Sequence, residues 1–153
     1  MGEPVVLQIY DISRGLARTM SQSLIGIQLE GIWHTGILFA GREYYFGSMG
    51  IDSCPPNGTI LGAPNKTELL GHSELPVEIV DEWIADARNS RFAGHRYHLL
   101  DHNCNNFSDE FATFLTGNNI PSHIVELPDI VRSTPMGQQL LQLISSFDPM
   151  QHR

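Results

Sequence analysis

His102-Asn-Cys-Asn-Asn-Phe-Ser-Asp-Glu-Phe-Ala-Thr-Phe-Leu-Thr-Gly117 sets an asparagine-rich polar loop directly against an apolar-faced helix. Phe107, Phe111, Phe114 and Leu115 recur at helical spacing, and Gly117 supplies a stop just after Thr116. Cys104 therefore falls at the predicted helix N-terminus, beside unpaired backbone N–H groups and the positive end of the helix dipole. Both favour the thiolate, the form that attacks carbonyls. A thiolate nucleophile needs a base, and Trp33-His34-Thr35, on a predicted buried strand, offers one. The competing reading of Cys104 is a core thiol, since free cysteine is among the most buried residue types. Against it stand His102, Asn103, Asn105 and Asn106, whose polarity marks a loop–helix junction. Side-chain amides there can orient a substrate carbonyl or a histidine, and the backbone N–H of Cys104 can stabilise an oxyanion.

Outward from this stretch, Arg96 to Leu100 is predicted as a strand leading into the cysteine loop. Pro76 opens an earlier helix with Ile79, Val80, Trp83, Ile84 and Ala87 on one stripe. After Pro121 two helices are expected, Ser122–Arg132 and Pro135–Phe147, the second capped by Thr134. Toward the N-terminus, Val5 to Tyr10 alternates as a strand, and Asp11 and Ser13 open a turn. Ser21 is read as the N-cap of a helix carrying Leu24, Ile25, Gln28 and Leu29 and ended by Gly31. Ile32 to Ala40 is apolar on both faces, which suits an interior strand. Gly41-Arg42 is expected to form a type II′ hairpin turn into Glu43–Ser48. Residues 50–65 are rich in Gly, Pro and Asn and are predicted as an irregular loop containing Ser53-Cys54-Pro55-Pro56. Thr67 to Leu75 is a further strand. No βαβ series repeats, so the expected fold class is α+β, an antiparallel sheet packed against helices.

At 153 residues the chain fits one domain, expected over 1–148, with 149–153 a frayed tail. The formal charge of −8 comes from 9 basic and 17 acidic residues, and seven of the basic ones are scattered singly. Nucleic-acid binding requires clustered cations, so that class is excluded. No apolar run is long enough to span a bilayer, and Met-Gly-Glu-Pro lacks the features of a signal peptide. Val6, where myristoylation wants Ser or Thr, argues against lipidation at Gly2. A reducing compartment with Cys54 and Cys104 both free is the matching expectation.

Two rivals to the dyad remain at this level. His34 can be a core histidine whose ring nitrogens are met by backbone groups. His95, His98, His102 and Cys104 form the sharper alternative, four metal-ligand residues within ten positions. If 96–100 is a strand, His98 and His102 lie up to roughly 13 Å apart, too far to share a zinc. No C-x-x-C or H-E-x-x-H spacing is present, so neither a metal nor another cofactor is expected. Cys54 reads as a loop thiol. Leu140-Leu-Gln-Leu-Ile144 reads as an amphipathic helix in preference to an export signal.

Gln28-Leu-Glu-Gly-Ile-Trp-His-Thr35, Ser53-Cys-Pro-Pro56 and the block His102–Ser108, in that order, resemble the PPPDE family of permuted papain-fold peptidases. Leu115-Thr-Gly117, Ile120-Pro-Ser122 and Ser133-Thr-Pro135 extend the resemblance, which runs from about Val5 to Phe147 and is nearest the desumoylating isopeptidase branch. It implies a circularly permuted papain-like cysteine peptidase fold, with the histidine strand preceding the cysteine helix. It implies His34 as general base and Cys104 as nucleophile. The implied substrates are lysine conjugates of a ubiquitin-like modifier, SUMO foremost, with removal of S-acyl (palmitoyl) chains from proteins as an alternative. A homodimer, and residence in cytoplasm and nucleus, are likewise implied. Papain-like enzymes orient the histidine with an Asn or Asp on the following strand, but Glu43 to Ser48 contains neither. Asn103 is the candidate oxyanion side chain, and Trp33 a candidate wall of the substrate groove. A non-catalytic adaptor for modified proteins is the third reading.

Overall fold

A computed structural model describes residues 2–99, 101–137 and 139. Five strands form one sheet in the order β4-β3-β2-β1-β5, with every neighbouring pair antiparallel. They are β1 (Glu3–Asp11), β2 (Trp33–Phe39), β3 (Arg42–Gly47), β4 (Gly50–Cys54) and β5 (Lys66–Ser73). Helix α1 (Leu16–Ile25) joins β1 to β2, and α2 (Val77–Arg88) follows β5. Then follow α3 (Cys104–Thr116), α4 (Ser122–Val125) and α5 (Leu127–Arg132). The α+β class and the antiparallel sheet are as the sequence predicted.

Alternation along the strands divides the sheet into two unlike faces. Leu7, Ile9, Ile37, Phe39, Phe46 and Ile51 form the apolar face, and Phe107, Phe111, Ala112 and Leu115 of α3 pack on it. Burying Phe107 and Phe111 contributes about 1.5–3 kcal/mol apiece, and their rings stack at 5.4 Å. Trp83 of α2 stacks in turn on Phe111 and Phe114, at 5.4 and 5.0 Å. The other face carries Gln8, Tyr10, His34, Glu43 and Tyr45, all buried. A second apolar cluster joins Ala17 and Ile25 of α1, Leu29, Ile32, and Leu127 and Val131 of α5. Trp33 packs against both clusters and bridges them.

Several local expectations are corrected. Helix α1 starts at Leu16 and not after Ser21, because Asp11 and Ser13 build its entry. The Asp11 carboxylate accepts from the N–H groups of Ser13 and Gly15, both at 2.9 Å, and Ser13 Oγ accepts from Ala17 at 3.1 Å. Ser21 sits inside the helix, its hydroxyl accepting from the Leu29 N–H at 2.7 Å. Gly26, at φ 78°, ends the helix five residues before Gly31. Gly31 instead seats Trp33, whose ring lies 2.5 Å from where a β-carbon would stand. The β2–β3 loop is Ala40-Gly41, with both φ values positive and Phe39 facing Arg42, which is type I′ and not II′.

The expected loop over 50–65 begins only after Cys54, since Gly50–Cys54 is the edge strand β4. Cys54 is thus a buried strand thiol. The described part of the expected strand, Arg96 to Leu99, is not a strand: a 3₁₀ turn over Gly94–Arg96 leads to a sharp reversal. There His98 and His102 exchange backbone hydrogen bonds of 2.8 and 3.0 Å. The expected helix Ser122–Arg132 is two pieces, because Pro128 has no N–H to continue the ladder from α4 into α5. Most of the predicted helix 135–147, the Leu140–Ile144 run and the 149–153 tail lie outside the described residues.

Candidate active site

Asn103 decides where α3 begins. Its Oδ1 accepts from the N–H groups of Asn105 and Asn106, at 2.9 and 3.4 Å, while Asn106 Oδ1 accepts from the Asn103 N–H at 2.8 Å. This reciprocal capping box places Cys104 at the first helical position. The Asn103 Nδ2 donates to the Leu99 carbonyl at 2.8 Å. Both ends of the side chain considered for an oxyanion role are therefore engaged in holding the cap.

Cys104 Sγ meets strand β2 at the peptide N–H of Thr35, the residue after His34. Asn105 fastens that meeting. Its Nδ2 donates to the Trp33 carbonyl at 2.9 Å, and its Oδ1 accepts from the Thr35 hydroxyl at 2.7 Å and from the Cys104 thiol at 3.7 Å. Thr35 Oγ1 also shares a 2.9 Å hydrogen bond with Ser108 Oγ. Asn105 thus grips β2 on both sides of His34. Asn105 stood in the sequence among the amides able to orient a histidine, but its two-sided grip on β2, and the parts of Thr35 and Ser108, were not foreseen. The available signal was two small polar residues three apart on the helix face that packs against the sheet.

His34 and Cys104 line one cavity, walled by Trp33, Ile12, Ile32, Leu99, Leu127 and Val131. His34 is 1% exposed and Cys104 6%. The imidazole projects to the polar face of the sheet, its centroid 5.6 Å from the Tyr10 ring and 6.5 Å from Tyr45. The Trp33 indole meets His123 edge-on at 6.4 Å.

Burial governs the charge states. It pushes the Cys104 thiol up to about 11, against the opposing pull of the N–H groups of Thr35, Asn105 and Cys104 itself. Burial alone brings His34 down to about 3. The helix-end N–H groups favour the thiolate as the sequence predicted, but in the closed site burial outweighs them and favours a neutral thiol and a neutral imidazole. A helix terminus contributes at most about 2 kcal/mol, whereas removing an ion from water costs several kcal/mol.

The buried imidazole makes stability depend on pH. Unfolded His34 takes up a proton below its ordinary value of 6.5, and the native state does not until about pH 3. Stability is accordingly expected to fall as the pH drops through this window, by up to about 1.4 kcal/mol per unit. Urea midpoints at pH 7.5, 6 and 5 measure it, and His34→Gln should flatten the His34 contribution. Equal slopes in the two proteins would contradict a buried neutral His34.

Three of the four metal-ligand candidates, His98, His102 and Cys104, go to separate partners. His98 Nδ1 accepts from the Asp101 N–H at 3.1 Å, and His102 stacks on Phe92 at 4.7 Å with its Nδ1 at 3.0 Å from the Arg96 carbonyl. The sharp reversal removes the distance argument against a shared metal. Among the described residues, however, no group of three His, Cys, Asp or Glu is arranged to hold an ion. No helix of the described residues is long and apolar enough to cross a membrane.

Residues 3–145 match the family model described as the PPPDE putative peptidase domain. Desumoylating isopeptidase 1 of Homo sapiens is 51% identical over 143 residues, covering 94% of this chain and 85% of that protein. The Xenopus laevis protein of the same name is 51% identical over 142 residues, covering 93% and 84%. More distant is the DeSI-like protein sdu1 of Schizosaccharomyces pombe, 30% identical over 138 residues, covering 86% and 67%.

Proposed function

From the premise that the chain belongs to the PPPDE peptidase family, we propose that it is a cysteine isopeptidase releasing a ubiquitin-like modifier, SUMO foremost, from substrate lysines. The observation that carries the site assignment is the shared cavity of His34 and Cys104, with Sγ held at the N–H of the residue beside His34.

In the proposed cycle His34 takes the Cys104 proton and Sγ attacks the carbonyl carbon of the modifier's C-terminal glycine. The tetrahedral oxyanion is met by backbone N–H at the start of α3, since the Asn103 amide is already engaged. The His34 imidazolium then donates its proton to the departing lysine amine as the C–N bond breaks. Water, deprotonated by His34, cleaves the thioester and Cys104 leaves as the thiolate. No cofactor takes part. A narrow, closed cavity favours a glycine-ended tail, because only glycine permits such close backbone approach.

The apolar walls from Ile12, Ile32, Leu127 and Val131 favour one second reading, hydrolysis of protein S-acyl thioesters by the same dyad. Purified protein offered a SUMO–lysine isopeptide conjugate and an S-acyl thioester probe separates the two. Cleavage of the conjugate is expected. Turnover of the thioester alone overturns the first reading, and turnover of neither points to an adaptor. The proposal extends to a homodimer, supported by the exposed ridge Leu16, Met20 and Leu24 on α1, and to residence in cytoplasm and nucleus.

A further inference from the structure

On the polar face of the sheet, Tyr10 and His34 are cross-strand partners and Glu43 and Tyr45 come from the next strand. Glu43 is 0% exposed. Its Oε2 accepts from the Tyr10 hydroxyl at 2.5 Å, and its Oε1 from the Asn57 N–H at 2.9 Å. Asn57 Oδ1 accepts in turn from Gln8 Nε2 at 3.1 Å, closing the network. The carboxyl lies on the backbone of β2: a β-carbon at Gly36, two residues past His34 on the same face, would stand 3.0 Å from Oε2. Both oxygens thus act as acceptors toward neutral donors, the behaviour of a carboxylate. Burying such a charge is costly unless a positive group can answer it.

We propose that Glu43, acting through Tyr10, is the positioning and counter-charge residue of the His34 imidazolium. It takes the part that the absent Asn or Asp would fill. This rests on His34 being the general base. Proton transfer from Cys104 Sγ to His34 makes a cation beside the Tyr10 ring, and the Glu43 charge stabilises it. The other titratable groups around the imidazole are Tyr45 on β3, Cys104 on α3 and Tyr97 in the cavity, with Asp52 and Cys54 one strand further out. None of them is cationic; the nearby positive charge is Arg42 on β3, whose guanidinium turns to the Ser53 hydroxyl at the exposed strand edge.

Alkylation of Cys104 by iodoacetamide tests this without any substrate, because it reports the thiolate present with the imidazolium. Glu43→Gln keeps the side-chain shape and removes the charge. It is expected to slow alkylation at neutral pH about tenfold and to lower the alkaline limb of kcat/KM by about one unit. Tyr10→Phe should move both in the same direction by less. Loss of a merely structural group would loosen the site and speed alkylation, the opposite sign. A folded Glu43→Gln protein alkylated as fast as wild type, or faster, overturns the proposal. If that variant does not fold, Tyr10→Phe decides by the same criterion. Wild-type protein whose alkylation depends on His34 but which leaves SUMO conjugates intact refutes the isopeptidase reading and not this one.

Discussion

Cys104→Ser is expected to lower isopeptide cleavage roughly a thousandfold or more while the protein stays folded. The hydroxyl is a far weaker acid than the thiol, and the base lining the same cavity is already weakened: burial brings His34 down to about 3. Serine is smaller than cysteine and inherits polar neighbours, the Thr35 N–H and Asn105 Oδ1, so no polar atom is stranded. The change in folding free energy should therefore stay within about 1 kcal/mol. Rates on a modifier conjugate and thermal midpoints measure the two effects separately. Retained cleavage in a folded Cys104→Ser protein would make Cys104 a core thiol and remove the nucleophile from the scheme.

Asn105→Leu should produce the second large effect, on fold and rate together. Leucine is of similar volume, yet it leaves the Trp33 carbonyl without its 2.9 Å donor and the Thr35 hydroxyl without its 2.7 Å acceptor. Each buried orphan costs about 1–3 kcal/mol. Thr35 keeps Ser108 as a partner, so the sum should be near ~2–3 kcal/mol. With β2 released on both sides of His34, a displacement near 1 Å would reduce kcat about a hundredfold. Urea denaturation gives the first quantity, and kcat per folded molecule the second. A destabilised variant with unchanged kcat would show that the grip holds the fold but not the dyad.

The cysteine helix was legible residue by residue. Phenylalanines at helical spacing, a glycine stop and an asparagine-rich start are local signals, and α3 runs from Cys104 to Thr116 as they dictate. The antiparallel sheet was legible because no βαβ series repeats, and β2 was legible as an interior strand because it is apolar on both faces. Errors gathered where a side chain's partner lay far along the chain. Ser21 has the chemistry of a cap, but Asp11 builds the helix entry and Ser21 turns inward to Leu29. Residues 96–99 have the composition of a strand, but His98 pairs with His102 instead of continuing into the sheet.

His34 and Cys104 were marked by the sequence as a possible base and nucleophile, because residue type and local context carry that much. Their charge states were not, because a helix end predicts thiolate while burial, a property of the whole fold, outweighs it. Nor could the chain order reveal that Asn105 spans both sides of His34, or that Glu43 lies over Gly36. Spacing along a polypeptide fixes which side chains share a helix face or a strand face. Which buried polar groups meet across elements depends on the three-dimensional closure of the sheet around them.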